Sequence, residues 1–146
     1  MPLTEDDFKT YRLPARREYI HELSTFALSN ARLSGASEQK AFELEVIMEE
    51  VLCNIADHAY KERSGENDWV EVGINYSGDG LLRLRIEDAG IHFDALTVPP
   101  PDTGSSLLDR EIGGLGIHLF RQLARNHHYE RTAEGTNRLY FDLPTR

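Results

Sequence analysis

A change in the spacing of the apolar residues, partway along the chain, constrains the fold more than any other feature of the sequence. Between residues 38 and 60 apolar side chains recur every three or four positions, which predicts an amphipathic helix with Ser37 as its N-cap. Between residues 69 and 88 they alternate at every second position on both sides of a glycine-containing turn, which predicts a β-hairpin with one buried face. Together the two patterns favour helices packed on an antiparallel sheet.

The rest of the chain extends this pattern to a whole domain. The predicted order is a strand at 8–13, helices at 16–31 and 38–60, the hairpin at 69–88, a helix at 115–125, and strands at 128–132 and 138–143. Helices gather early and antiparallel strands gather late, so the sequence predicts an α+β fold, a two-layer α/β sandwich in a single domain spanning 1–146. Residues 94–114 show no periodicity, and such a long irregular segment inside a compact domain predicts a functional lid.

Composition argues against several classes of function. The formal net charge of -9 repels a phosphate backbone, so we expect no nucleic-acid partner. Apolar runs stay well short of the ~20 residues of a membrane span, and the acidic N-terminus lacks the basic and apolar parts of a signal peptide. A single cysteine rules out an internal disulfide and suits the cytoplasm. We therefore expect a cytoplasmic protein that does not bind membranes.

Three polar residues of the second predicted helix are the first candidate site. Glu50, Asn54 and Asp57 are spaced so that they share one helical face beside the apolar stripe. A carboxylate or amide left unpaired at a core edge costs about 1–3 kcal/mol or more. These groups are therefore either hydrogen-bonded within the protein or committed to a ligand, and an acid and an amide together suit a metal-bound triphosphate.

Two glycine-containing segments complete the candidate site. Asp88 ends a predicted strand and Gly90 follows it, an arrangement that can simply form a turn or can present a carboxylate and a flat backbone to a base. Gly113, Gly114 and Gly116 precede a predicted helix and would offer backbone NH groups and the helix dipole to phosphate. The same glycines could instead form a hinge.

In their order and spacing these segments resemble the GHKL (Bergerat-fold) ATPases, and more narrowly the anti-sigma-factor serine/threonine kinases. Residues 50–60, EVLCNIADHAY, resemble the N box of that family, and residues 88–90, DAG, resemble its first glycine box. Residues 113–116, GGLG, resemble the second glycine box, and Gly135-Thr136 resembles the closing motif. The resemblance extends from about residue 8 to 143 and implies the Bergerat fold, with ATP and Mg²⁺ as ligands.

The resemblance also implies a role for each residue at the phosphate end of such a site. Glu50 is the general base for the attacking hydroxyl, and Asn54 is the Mg²⁺ ligand. Gly113, Gly114 and Gly116 belong to the phosphate-binding segment, in which Gly114 and Gly116 contact phosphates through their NH groups.

At the base end, the resemblance implies that Asp88 binds the adenine amino group, with Gly90 and Thr136 beside the base. Asp57 matches an acid that lies near adenine in some branches of the superfamily.

The sequence departs from the family pattern at two positions. His92 stands where the first glycine box usually has a second glycine. Ile112 stands where some of these kinases have a basic residue, with Arg110 close by. Because phosphoryl transfer depends on charge stabilisation, a missing cation would slow the chemistry more than it would weaken binding.

The resemblance implies a bacterial kinase that phosphorylates a small anti-sigma-factor antagonist of the STAS type and that also binds a sigma factor. The alternative is a nucleotide-gated protein-binding module without useful kinase activity. His92 and Ile112, the two departures from the family pattern, favour this alternative. A third possibility is the catalytic module of a histidine kinase, which would need a phosphoacceptor protein in trans. Relatives of this kind often form homodimers, and we expect any such contact at the first strand and helix.

Overall fold

The computed structural model describes residues 7–60, 67–97 and 107–146, and for 107–113 it describes the backbone alone. The helices are α1 (Arg17–Leu33), α2 (Glu38–Asn54) and α3 (Leu107–Leu123), with a single π turn (Ile55–Ala59) directly after α2 and a 3₁₀ turn (Ala95–Thr97). The strands are β1 (Lys9–Pro14), β2 (Trp69–Tyr76), β3 (Leu81–Asp88), β4 (Arg125–Arg131) and β5 (Asn137–Pro144).

The described strands form one antiparallel sheet in the order β1-β2-β3-β5-β4. Every second residue of the central strands is buried, and these residues join apolar residues of α1, α2 and α3 in one core. The predicted two-layer α+β sandwich is therefore confirmed. Pairing of β3 with β5 brings Asp88 directly opposite Asn137.

Helix α2 lies at the centre of the helical layer, between α1 and α3. Ser37 caps it, since its side chain accepts a hydrogen bond from the Lys40 amide, as the sequence predicts. Its apolar stripe is completely buried and consists of Leu44, Ile47, Met48, Val51 and Leu52. Each such side chain contributes about 1.5–3 kcal/mol on burial, so α2 is anchored firmly enough to serve as a fixed support for polar groups on its neighbouring face.

The second helix does not continue as a regular α-helix to Tyr60, which the apolar periodicity predicts. It changes into the π turn at Ile55. Single π turns inside helices are often found at functional sites. Here the Ala59 carbonyl, at the end of the turn, accepts a hydrogen bond from the Ile91 amide at 2.9 Å. The π turn therefore ties the end of α2 to the loop that follows β3.

The prediction that a helix begins near residue 115 is wrong. Helix α3 begins at Leu107, so Gly113, Gly114 and Gly116 lie inside it and not before it. Glycine inside a helix costs only about 1 kcal/mol, which a close contact with another helix can offset. The predicted lid at 94–114 is thus partly helical, and its segment 98–106 lies outside the described residues. No helix in the described part of the chain is long and apolar enough to cross a membrane.

Candidate functional site

Glu50 and Asn54 lie one turn apart on α2, and both side chains are half-buried. Burial raises the pKa of the Glu50 carboxyl above its ordinary value. Among the described residues, no hydrogen bond or ion pair holds this carboxylate. A half-buried carboxylate with a raised pKa is a candidate for ligand binding or proton transfer.

The Asn54 amide is oriented by the 3₁₀ turn after β3. Its Nδ2 donates a hydrogen bond to the Ala95 carbonyl at 3.0 Å. With the NH₂ end held in this way, the carbonyl oxygen Oδ1 is the end of the amide that can reach a ligand. Amide oxygens are among the ligands that Mg²⁺ accepts, usually together with phosphate oxygens and water. Asn54 Oδ1 is therefore a suitable ligand atom for this metal.

Helix α3 approaches α2 most closely at Gly116. A Cβ atom on Gly116 would overlap the Cβ atom of Glu50 and would lie 2.8 Å from the Val46 carbonyl oxygen. Gly114, in contrast, is exposed, and a Cβ atom added to it would have no neighbouring atom within 4 Å. Gly116 is therefore required for the helix contact, and that contact places Gly116 beside Glu50.

The glycines of α3 do not form a free helix N-terminus. In a helix interior each backbone NH is engaged by the carbonyl four residues earlier. Contact of phosphate with the NH groups of Gly113, Gly114 or Gly116 would therefore require the first turns of α3 to open. The phosphate-binding role of these residues remains a prediction.

Asp88, at the end of β3, is almost completely buried. Burial raises the pKa of its carboxyl to about 6, although hydrogen bonds from Asn137 and the Gly90 amide oppose the shift. Asn137 Nδ2 and Gly90 N both donate to the same oxygen, Oδ1, at 2.9 Å. A buried carboxylate with one oxygen occupied in this way can receive a donor from a ligand at its other oxygen.

Asn137 is the residue at the base end that sequence analysis missed. It is buried and makes five hydrogen bonds, with Asp88, Ile91, Phe93, Tyr129 and Arg131. The sequence contains a pattern that could have identified Asn137, because this polar residue occupies one of the alternating positions that are buried in β5. A polar residue in an apolar phase is either paired inside the protein or part of a site.

Thr136, which was predicted to lie beside the base, forms a hydrogen bond with Glu87 through its hydroxyl group. Thr136 Oγ1 donates to Glu87 Oε2 at 2.8 Å, and Arg138 Nε donates to the same oxygen at 2.8 Å. Successive residues of a strand point to opposite faces of the sheet, so Glu87 lies on the face opposite Asp88. In this structure the residue that meets Asp88 is Asn137, which directly follows the closing motif.

Gly90 is needed because the loop after β3 passes very close to α2. A Cβ atom on Gly90 would overlap the carbonyl oxygen of Ala59 at the end of the π turn. His92, which stands in place of a second glycine, is exposed and stacks on Tyr129, with ring centroids 5.9 Å apart and planes 6° apart. Ile112 and Arg110 have side chains outside the described part of the chain.

Asp57 is paired with α1 and not with the base end. Arg17 donates to both of its carboxylate oxygens, with distances of 2.9 Å and 2.6 Å. The Arg17 guanidinium lowers the pKa of the Asp57 carboxyl below its ordinary value. The structure therefore accounts for Asp57 by an exposed ion pair between the π turn and α1, and its nucleotide-binding role remains a prediction.

A cleft of about 460 Å³ opens between the loop after β3 and the turn that joins β4 to β5. Its lining consists of Ala89, Gly90, Ile91, Arg131, Glu134 and Gly135. Arg131 links this cleft to the buried network, because its guanidinium donates to the Gly90 carbonyl at 2.8 Å and to Asn137 Oδ1 at 3.2 Å. The loop that carries Gly90 is thus held from both sides, by the π turn and by Arg131.

Comparison with known proteins gives one family and a consistent set of relatives. Residues 13–140 match the family model of the histidine kinase-like ATPase domain. The chain is similar to serine-protein kinase RsbW of Listeria monocytogenes serovar 1/2a, with 33% identity over 126 residues that cover 82% of this chain and 77% of the relative. It is also similar to serine-protein kinase RsbW of Bacillus cereus, with 26% identity and coverages of 77% and 70%. The protein of the same name from Staphylococcus aureus strain MRSA252 is 25% identical, with coverages of 82% and 77%.

Proposed function

The chain belongs to the family of histidine kinase-like ATPase domains, and on this premise we propose that it is an ATP-dependent serine/threonine protein kinase of the anti-sigma-factor type. Its relatives are named serine-protein kinases, which supports the enzyme class. In this proposal it acts in the bacterial cytoplasm and phosphorylates a hydroxyl of a small STAS-type antagonist. It also binds a sigma factor, so that phosphorylation decides which partner it holds, and it forms a homodimer through β1 and α1.

The observation that carries this proposal is that Glu50 and Asn54 lie on the same face of α2, directly beside α3. In the proposal the half-buried Glu50 carboxylate accepts the proton of the attacking hydroxyl. Burial favours this role, because it raises the carboxyl pKa towards the range in which a base both ionises and takes up a proton. Asn54 Oδ1 would hold Mg²⁺, and Asp88 would receive the amino group of adenine.

ATP supplies the phosphoryl group when it is bound, and the residues of this chain bind and orient it. The base end is organised before binding, since Asp88 and Asn137 are already hydrogen-bonded to each other. At the phosphate end, α3 lies against Glu50 through Gly116. Positioning and charge stabilisation account for most of the catalysis in phosphoryl transfer, and these contacts provide the positioning.

The second candidate function is a nucleotide-gated binding module that changes partners without transferring phosphate. His92 favours it, because an imidazole replaces a glycine next to the base-binding loop. In this alternative the protein binds ADP or ATP and exchanges partners, but no phosphoprotein forms.

Calorimetry separates these functions from a chain that does not bind nucleotides. ATP and ADP are titrated with and without Mg²⁺ into the wild type and into Asn54→Ala. We expect binding that depends on Mg²⁺ and that weakens about tenfold or more in the variant, because one ligand of the metal is lost. Absence of binding to the wild type would contradict both nucleotide functions.

A transfer assay then decides between kinase and binding module. The wild type is incubated with γ-labelled ATP, Mg²⁺ and a panel of purified STAS-type antagonists. The kinase proposal expects label on serine or threonine that survives acid treatment. Label lost in acid would indicate phosphohistidine and the catalytic module of a histidine kinase, and tight ATP binding without label would favour the binding module.

A further inference from the structure

On the basis of the proposed function, we infer that Asn137 is a positioning residue that fixes the acceptor face of Asp88 and so selects nucleotides whose base carries an exocyclic amine. The inference concerns a residue outside the motifs that carry the family resemblance. It assigns to the first residue of β5 a role in choosing the base, and it commits to a 6-aminopurine as the preferred ligand class.

The Asn137 amide has a single permitted orientation. Its two N–H groups donate to Asp88 Oδ1 at 2.9 Å and to the Ile91 carbonyl at 2.7 Å. Its carbonyl oxygen accepts from the Tyr129 hydroxyl at 2.8 Å and from the Phe93 amide and the Arg131 guanidinium at 3.2 Å each. A flipped amide would turn its NH₂ group towards these donors and lose the bonds, so the donor end always faces Asp88.

This orientation decides what Asp88 can offer to a base. Oδ1 already receives donors from Asn137 and from the Gly90 amide. Donors at Oδ1 favour the ionised carboxylate, and an ionised carboxylate is an acceptor only. The remaining oxygen, Oδ2, therefore suits the 6-amino group of adenine and repels the 6-keto oxygen of hypoxanthine or guanine.

The same amide also holds the loop against which the base would lie. Asn137 contacts both Ile91 and Phe93 through their backbone groups. Hence one side chain sets the direction of the Asp88 carboxylate and the path of the chain that follows it. A residue with only a packing role would not need this division into a donor end for Asp88 and an acceptor end for the other partners.

The test compares ADP with inosine diphosphate, which carries a keto oxygen in place of the amine, and measures both dissociation constants by calorimetry in the presence of Mg²⁺. The main variant is Asn137→Asp. It keeps the shape and the acceptor oxygen but removes both N–H donors and puts a second carboxyl against Asp88. The loss of the Asn137 donor and a second carboxylate beside Asp88 both disfavour the ionised form of Asp88. Because the Gly90 amide still donates to Oδ1, the proton of the neutral form lies on Oδ2, which can then donate to a keto oxygen.

The matched control is Tyr129→Phe, which removes one hydrogen bond from the Asn137 carbonyl oxygen and leaves the contact with Asp88 intact. We expect the wild type to prefer ADP and Asn137→Asp to reduce that preference about tenfold or more, since a site that hydrogen-bonds a particular group discriminates strongly. The control should keep the wild-type preference even if its melting temperature falls. If Asn137→Asp does not fold, the neutral Asn137→Leu carries the same comparison.

The outcomes separate this inference from the proposed function. If the wild type binds neither nucleotide, the proposed function fails. If the wild type binds both equally, or if the Asn137 variants keep the preference for ADP, the inference is overturned while nucleotide binding stands. An equal loss of affinity for both nucleotides in the variants would show that Asn137 only supports the structure, and would also overturn it.

Discussion

The two ends of the candidate site differ in how completely the protein satisfies its own polar groups. At the base end, Asp88 and Asn137 are buried, bonded to each other and surrounded by backbone and side-chain partners. At the phosphate end, Glu50 and Asn54 are half-buried, and among the described residues the Asn54 side chain makes one hydrogen bond and the Glu50 side chain makes none. The base end is therefore preorganised before a ligand arrives, whereas the phosphate end has polar atoms that are available to a ligand.

This difference implies a division of labour that mutations can break. Preorganisation reduces the entropy that the protein loses when a ligand binds, so the base end should set affinity and base choice. Groups without protein partners can act on a ligand as the reaction proceeds, so the phosphate end should set the rate. A variant of Glu50 should consequently leave ADP affinity almost unchanged. Asn54, as the proposed Mg²⁺ ligand, is the phosphate-end residue that also contributes to affinity.

The largest effect is expected for Glu50→Gln, which keeps the shape of the side chain and removes the base. Transfer of label to the antagonist should fall about 10²–10⁴-fold, while ADP affinity measured by calorimetry stays close to that of the wild type. Glu49→Gln, a half-buried neighbour on the same helix, is the matched control and should keep its rate. Full activity in Glu50→Gln would contradict the assigned base.

The wild-type rate should also depend on pH through this residue. Because burial raises the pKa of Glu50, the rate should fall with decreasing pH at a higher pH than an ordinary glutamate would give.

Asp88→Asn tests the base end, where we expect a change in affinity and not in rate. The new side chain still accepts bonds from Gly90 N and Asn137, but its NH₂ group replaces the oxygen that would face the base. ADP affinity should fall about 10–100-fold in calorimetry, as a mispaired buried donor requires. Unchanged affinity would show that Asp88 does not meet the base.

The same variant should be more stable than the wild type at neutral and alkaline pH. The Asp88 carboxyl has a pKa of about 6 in the folded protein against 3.8 for an ordinary aspartate, so between these values the folded state holds a proton that the unfolded state has lost. Wild-type stability therefore falls as pH rises through this window, by about 1–3 kcal/mol.

Urea unfolding should show this gain for Asp88→Asn at about pH 8, and the gain should disappear as the pH approaches about 4. A gain that does not depend on pH would contradict the assignment to carboxyl burial.

Gly116→Ala tests the helix contact that brings α3 to Glu50. The added methyl group would overlap Glu50 Cβ, so we expect a net loss of about 1–3 kcal/mol, only partly offset by the better helix propensity of alanine. Gly114→Ala is the matched control, because its methyl group meets nothing within 4 Å. It should gain about 0.5–1 kcal/mol in the same unfolding experiment. Equal effects of the two substitutions would argue against a close contact at Gly116.

The smallest effect is expected for Asp57→Asn, which removes the ion pair with Arg17. Both partners are substantially exposed, and such pairs are worth about 0–1 kcal/mol. Because the pKa of Asp57 is lowered by Arg17, any contribution is present above the ordinary carboxyl pKa and is lost as pH falls through the lowered value. ADP affinity should not change. A clear loss of affinity would place Asp57 in the nucleotide site after all.

Local patterns in the sequence were enough for most of the elements. The hairpin of β2 and β3 has the predicted limits of 69 and 88, α2 begins at its predicted cap, and the order of helices and strands gives the correct two-layer fold. Helical spacing also placed Glu50 and Asn54 on one face. These features follow from periodicity and capping, which act over a few residues and are therefore visible in the chain itself.

Other features depend on contacts between distant segments, and periodicity could not supply them. The early start of α3 goes together with a close contact at Gly116, and the π turn after α2 is tied to Ile91. Asp57 is paired with Arg17, which lies 40 residues away along the chain. None of these partners is marked by the local sequence.

The position of Thr136 relative to Asn137 shows most clearly what the sequence could not predict. The resemblance of Gly135-Thr136 to the closing motif implies that this part of the chain belongs to the base site, and the sequence alone carries that resemblance. Which of the two adjacent residues meets Asp88 depends on the register between β3 and β5, and a shift of one residue would exchange the two faces of the strand. The tertiary structure alone fixed that register, because it is set by the packing of the whole sheet on the helices.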